Sequence, residues 1–235
     1  MESQCKKAIS VSLVLLVFGY RVGITSAEEL RHDSSYAPAF RIRQNESVAI
    51  GDSHALISSL EMYRSVKHSY PDAWQTDMYP PSGPAYGPAN FNLDIQSTAQ
   101  LLRGYRYRYT PMPPGCSEPN CSGFVVTVIP ERPGIIVKSP TPDEEARVTD
   151  QIKAKYGAPS KLSREQLKKC WEELQEALSP LYTIEPPETT GTRSFFADGS
   201  GKVRHCKGGT GANASDVPVF KNPLGFVEQN PKPCQ

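Results

Sequence analysis

The 235-residue chain carries 26 Lys+Arg against 25 Asp+Glu, a formal net charge of +1. That balance excludes binding driven by a basic surface that displaces phosphate counterions, and it equally excludes an acidic solvating tail. With 38% hydrophobic residues and 22 prolines against 17 glycines, the composition fits a modest core joined by long turn-rich connections. It fits neither a long helical bundle nor a multi-span membrane protein.

Residues 1–27 read as a secretory leader. Lys6 and Lys7 supply the positive start, residues 8–18 an apolar run, and Thr25-Ser26-Ala27 the small residues of a cleavage site. A retained anchor is the alternative, but the run falls short of the ~20 apolar residues a span needs, and Arg21 follows it closely. Cleavage after Ala27 leaves a chain that starts at Glu28 with no stable membrane span.

Export changes how the cysteines are read. Cys5 leaves with the leader, so Cys116, Cys121, Cys170, Cys206 and Cys234 remain for an oxidising compartment. Cys116 and Cys121 bracket the turn Cys-Ser-Glu-Pro-Asn-Cys, which makes them the first candidate pair. Cys206 with Cys234 is the second, tying the C-terminal tail to the end of a strand. Cys170 is then the odd thiol, and a Cys170–Cys206 bond is the alternative.

Residues 28–42 form a polar N-terminal segment. From 43 to 66 no proline occurs, and Val48, Ala55, Leu56, Ser59, Met62, Tyr63 and Val66 recur near helical spacing, predicting an amphipathic helix. Residues 70–92, dense in Pro, Gly, Tyr and Asn, predict a loop, with short helical character at 93–102. Residues 104–111 alternate with period two, placing Tyr105, Tyr107 and Tyr109 on one face and Arg106 and Arg108 on the other. Residues 123–129 are a second strand, and the two read as an antiparallel hairpin.

Residues 131–188 interrupt the sheet with two helical pieces, 143–156 and 163–177. Ser163 and Gln166 have capping-box spacing, and Leu167, Trp171, Leu174 and Leu178 make an apolar stripe. Strands resume at 192–197 and 202–206 around the turn Asp198-Gly-Ser-Gly201, whose residues tolerate positive φ. Residues 207–235, rich in Gly, Pro and Asn, read as an irregular tail.

This order of elements is an α+β plan: an N-terminal helix on a four-stranded antiparallel sheet, one domain over 43–206 with a helical insertion at 131–188. Several segments carry a family resemblance in matching order. Phe40-Arg-Ile-Arg-Gln-Asn-Glu-Ser-Val-Ala-Ile50 leads into Ser58-Ser-Leu-Glu-Met-Tyr63. Gly104-Tyr-Arg-Tyr-Arg-Tyr109, Gly123-Phe-Val-Val-Thr-Val-Ile-Pro130 and Thr190-Gly-Thr-Arg-Ser-Phe-Phe-Ala-Asp-Gly-Ser-Gly-Lys-Val-Arg204 follow, and then residues 212–218. Together they resemble the globular head of bacterial type IV pilin-like and pseudopilin-like proteins.

The resemblance covers about half of the chain after the leader. It implies a non-catalytic structural protein, secreted or periplasmic, that packs against pilus or secretion-system components. Two features depart from the family. The apolar run precedes the cleavage site, and no glycine-aromatic-glutamate processing site is present, so the helix that polymerises the fibre is missing. The insertion is the second departure, and it reads either as a partner surface or as a helical cap over one sheet face.

Chemistry-bearing motifs are sparse. His32, His54, His68 and His205 show no zinc spacing, and no nucleophile elbow, P-loop or dinucleotide fingerprint occurs. No catalytic, cofactor or metal residues and no nucleic-acid partner are therefore expected. His205 beside Cys206, with Cys170, could form a cysteine–histidine pair, which underlies the competing reading: a secreted hydrolase or effector with its site between insertion and sheet. The acidic runs at 143–145 and 172–173 read as solvated helix faces. A third reading uses the Tyr105, Tyr107 and Tyr109 face as a ligand platform, and ordinary cross-strand packing explains the same pattern. The candidate interaction surface thus comprises Trp171, Leu174 and Leu178 in the insertion, with the three tyrosines. Asn45, Asn120 and Asn213 fit the glycosylation pattern, with Asn45 poorly placed on a helix.

Overall fold

The computed structural model describes residues 38–158, 162–208, 211–222, 225–227 and 232–234. The leader, the expected cleavage site and His32 lie outside the described residues.

The first helix, α1 (Pro38–Lys67), starts five residues earlier than expected. Proline suits a first helical position because its missing N–H would have no intrahelical partner there. Ala39 and Ile42 then belong to the helix and are buried. The buried seam runs through Ile42, Glu46, Ala49, Ser53, Leu56, Leu60 and Tyr63, a clean three-four spacing. Of the expected stripe, Leu56, Ser59 and Tyr63 are buried, Val48 is half-buried, and Ala55, Met62 and Val66 face outward. Two seam positions are polar, so counting apolar residues alone rotates the predicted face by about a third of a turn. Ser53 meets its needs by donating to the Ala49 carbonyl at 2.7 Å, and Glu46 by a longer-range set of partners described below. His68, at φ 62°, ends the helix in a left-handed conformation.

The segment expected to be a loop at 70–92 contains a short helix, α2 (Trp74–Met78), and a 3-10 turn (Ala89–Phe91). Its aromatic residues pull it inward. Trp74, Met78, Phe91 and Ile95 are buried in the main core, and the Trp74 indole donates to the Phe91 carbonyl at 3.1 Å. The helical character expected at 93–102 is replaced by a strand, β1 (Gln100–Leu102). Arg103 and Gly104, at φ 49° and 77°, form the two-residue reversal into β2 (Tyr105–Met112).

Strand β2 pairs with β3 (Gly123–Pro130) over eight residues, from Tyr105 opposite Pro130 to Met112 opposite Gly123. Strand β3 pairs in turn with β6 (Arg193–Asp198), and β6 with β7 (Val203–Lys207). The Asp198–Gly201 reversal joins them, with Ser200 N donating to Asp198 Oδ1 at 2.9 Å and Gly201 at φ 74°. The tail expected to be irregular adds β8 (Val217–Pro218) to this sheet and a separate hairpin of β9 (Phe220–Asn222) and β10 (Gly225–Val227). Among the described residues the main sheet is therefore six-stranded and antiparallel, in the order β1-β2-β3-β6-β7-β8, wider than the four strands expected.

One sheet face carries Tyr105, Tyr107, Tyr109, Phe124, Val126, Val128, Phe195, Ala197 and Val203, which share one core with Ala49, Ile50, Leu56, Leu60 and Tyr63 of α1. The fold class is accordingly α+β. On the opposite face Phe196, Cys206 and Ala212 form a smaller cluster with Val125 and Cys234. Both first-choice disulfides are closed, Cys116–Cys121 with Cα atoms 5.3 Å apart and Cys206–Cys234 with Cα atoms 4.9 Å apart, and Cys170 is free.

The insertion is a strand–helix–helix–strand excursion rather than two helices alone. Strand β4 (Ile135–Lys138) enters and β5 (Thr183–Glu185) returns beside it, antiparallel. Between them lie α3 (Pro142–Tyr156) and α4 (Arg164–Leu178), opened by the capping boxes Thr141/Glu144 and Ser163/Gln166. Lys155 Nζ and the Tyr156 hydroxyl both meet the Glu173 carboxylate, at 2.6 and 2.7 Å, and join the two helices. The base of the excursion docks on the first turns of α1: Ile184 packs with Ala39 and Ile42, and Arg43 donates to the Tyr182 hydroxyl at 2.7 Å.

Gly191, two residues ahead of β6, passes close against the Tyr105 ring. A Cβ added there would lie 2.0 Å from the Tyr105 hydroxyl oxygen and 2.6 Å from Cζ, against a fully buried ring. Gly191→Ala is expected to cost about 1–3 kcal/mol by overpacking, read as a lower urea midpoint. Tyr105→Phe in the same chain should relieve part of it, since the phenol oxygen is the first atom struck.

Candidate functional site

Glu46 and Arg193 meet where α1 crosses the start of β6. The Glu46 carboxylate accepts from Arg193 Nε at 2.8 Å, from the Arg193 terminal nitrogen, from the Thr192 amide at 2.9 Å and from the Thr192 hydroxyl at 2.7 Å. Both charged side chains are buried, and the two guanidinium nitrogens converge on Oε2 while Thr192 takes Oε1. One residue earlier, Asn45 Nδ2 donates to the Thr190 carbonyl at 3.0 Å, which commits the amide of that glycosylation triplet to the fold. Tyr105 completes the joint by donating its hydroxyl to the Arg193 carbonyl at 3.0 Å. Gly104, at φ 77°, passes beneath Thr190 with no room for a side chain. The sequence Asn-Glu on the helix thus reads the sequence Thr-Gly-Thr-Arg on the sheet, residue against residue.

The three β2 tyrosines do not form a platform. Their rings are fully buried, and each hydroxyl has a partner inside the fold: Arg193 O for Tyr105, Asp52 Oδ2 at 3.2 Å for Tyr107, and Pro71 O at 2.6 Å for Tyr109. The period-two pattern is core packing, and the expectation of an exposed surface at Tyr105, Tyr107 and Tyr109 is corrected. Leu174 and Leu178 are buried as well, and Trp171 is half-buried, because the stripe of α4 faces inward on its own excursion.

Burial pushes these phenols well above their ordinary value near 10, with nearby carboxylates adding to the effect, Glu46 for Tyr105, Asp52 for Tyr107 and Asp77 for Tyr109. The folded chain keeps three protons that the unfolded chain releases above pH ~10, so stability is present below that pH and lost above it. The expected slope is about −4 kcal/mol per pH unit from these three groups. Tyrosinate absorbance should show them titrating only together with unfolding.

Candidate nucleophiles and bases are otherwise engaged. Cys206 is consumed by its disulfide, and His205 is buried with its ring parallel to Phe195 at 6.4 Å. The Cys170 thiol is pushed up by burial and then by the Glu173 carboxylate, so it stays protonated at neutral pH. The acidic runs serve the insertion helices. Glu144 closes a capping box and is held low by its bonds to Thr141, while Glu172 faces Lys168 at 3.8 Å. Among the described residues no group of three His, Cys, Asp or Glu could hold a metal ion, and no helix is long and apolar enough to cross a membrane.

A cleft of about 270 Å³ lies between the insertion and α1, lined by Ala39, Ser179, Tyr182, Thr183, Ile184 and Pro187. Its lining supplies hydroxyls and apolar atoms but no carboxylate, imidazole or thiol. This is not the crevice of converging titratable groups that the hydrolase reading requires.

Within the insertion, an exposed apolar run lies on residues other than Trp171, Leu174 and Leu178. Ile135, Ile136 and Val137 of β4 are 60%, 38% and 54% exposed in immediate succession. The signal was present as a β-branched run between Pro133 and Pro140, but the surrounding prolines made the stretch read as a connection. Met62 and Val66 on α1, with Leu93 and Leu101, are further exposed apolar residues.

Comparison with protein-family models, with curated proteins and with solved structures finds no match to this chain.

Proposed function

We propose that this chain is an exported, non-catalytic interaction protein whose α+β body resembles the head of a type IV pilin or pseudopilin and lacks the helix that polymerises the fibre. The observation that carries the reading is the α1–β6 joint. Two of the segments that carry the resemblance, around Asn45-Glu46 and around Thr190–Arg193, bond to each other through side chains that seat the helix on the sheet. Tyr105 and Gly104, from a third matching segment, close the same joint.

Two closed disulfides favour an oxidising compartment, in keeping with a cleaved leader and a secreted or periplasmic location. A thiol kept protonated and a cleft whose lining offers no carboxylate, imidazole or thiol favour a scaffold over a hydrolase.

The test is expression of the full chain in a bacterium that assembles type IV pili or a related secretion apparatus. The reading expects recovery outside the cytoplasm with an N-terminus at Glu28, and co-purification with components of that apparatus. A chain that keeps its first residues in the cytoplasm, or one recovered outside with no such component, would contradict it.

A further inference from the structure

Among the described residues strand β4 has one neighbour, β5, and its other edge carries no strand. An unpaired edge presents a row of amide and carbonyl groups that an extended segment can complete, and proteins ordinarily blunt such edges with charge or cover them. Here Ile135, Ile136 and Val137 all stay exposed, and Lys138 is the strand's one charge. The chemistry of this edge therefore calls for an extended apolar strand.

We propose that the strand it takes is β4 of a second copy, paired antiparallel about a two-fold axis near Ile136. The distribution of charge in the hairpin selects this occupant and this direction. Lys138 stands at one end of the hairpin opposite Thr183, and Glu185 stands at the other end opposite Ile135. Antiparallel pairing brings the positive end of each copy toward the negative end of the other, twice by symmetry. Parallel pairing would set Lys138 beside Lys138. With the axis at Ile136, Ile135 faces Val137 of the second copy, so the apolar row is self-complementary. The register shift between Ile136 and Lys138 keeps the ladder short, so the association is weak, with a Kd on the order of tens of micromolar. Pairing through this edge requires neither export nor a pilin-like role.

Sedimentation equilibrium of the purified, disulfide-intact protein from about 1 to 200 μM tests this. The expected result is a reversible monomer–dimer equilibrium, abolished by Val137→Lys. Lys138→Glu and Glu185→Lys should each weaken the dimer about threefold by setting like charges toward each other across one intervening strand, and the double variant should restore the parent's affinity. All three positions are exposed, so the variants should fold, and unchanged far-UV circular dichroism verifies that. A protein monomeric across the range, a dimer untouched by Val137→Lys, or a charge swap that fails to restore association overturns the proposal. So does a different polypeptide found bound at this edge.

Discussion

An Arg193→Met variant is expected to lose about 3–5 kcal/mol of unfolding free energy, the range observed when one partner of a buried ion pair is removed. The cost comes less from the lost attraction than from the Glu46 carboxylate left in the core. Only the Thr192 amide and hydroxyl remain to hold it. Glu46→Leu in the parent chain should be similarly damaging, since it removes the carboxylate that neutralises the buried guanidinium. Combining the two should recover much of the loss, because no charge is then left without a partner. The Thr192 amide would still lack its acceptor, leaving a residual cost of about 1–3 kcal/mol. Urea denaturation of the four chains gives the coupling energy directly. A single-variant cost below about 1 kcal/mol would mean that water reaches the pair.

The second large effect belongs to Cys206–Cys234. These residues are 28 apart in sequence, and in the chain-entropy model a closed loop of that length stabilises the fold by about 3–4 kcal/mol. The bond also holds Cys234 against Phe196 and Ala212 on the outer sheet face, where Lys207 N donates to the Lys232 carbonyl and Cys234 N to the Lys207 carbonyl. Cys206→Ser with Cys234→Ser is therefore expected to lower Tm by about 7–15 °C. The same change at Cys116 and Cys121 should cost less, because that loop spans five residues. Equal effects at the two sites would show that loop length is not what sets the stabilisation.

The strand hairpins and capped helices were legible in the sequence because their signals are local. Alternation from Tyr105 to Tyr109, the Asp198–Gly201 turn and the Ser163/Gln166 cap each sit within one element, and the structure has β2, the β6–β7 reversal and α4 there. Long-range polar pairing was not legible. Glu46 reads as a surface residue until Arg193, 147 positions later, is known to lie beside it. With Ser53 it hid the true seam of α1 and turned the predicted face toward solvent. Edge strands β1 and β8, three and two residues long, carry too few side chains to show a period, which is why a four-stranded sheet was expected. Trp74 and Phe91 show the opposite failure. Proline and glycine around them spoke for a loop, but two large rings in that loop could gain stability only by entering the core.

For the candidate sites the same division holds. The two disulfides followed from spacing and an oxidising compartment. The buried fate of Tyr105, Tyr107 and Tyr109 depended on which face the helix covers, and a strand's alternation does not say which of its faces is inward. The exposed β4 run was visible as residues but not as a surface, since its exposure depends on β5 being, among the described residues, its one strand neighbour.

Native-state hydrogen exchange of α1 tests the central claim, that this helix is seated on the sheet as one cooperative unit. The amides of residues 49–63 should exchange with the same opening free energy as the slowest amides of β2, β3 and β6, and should lose protection in step with them on Arg193→Met. Exchange of the helix at a far lower opening free energy, with the sheet still protected, would contradict it.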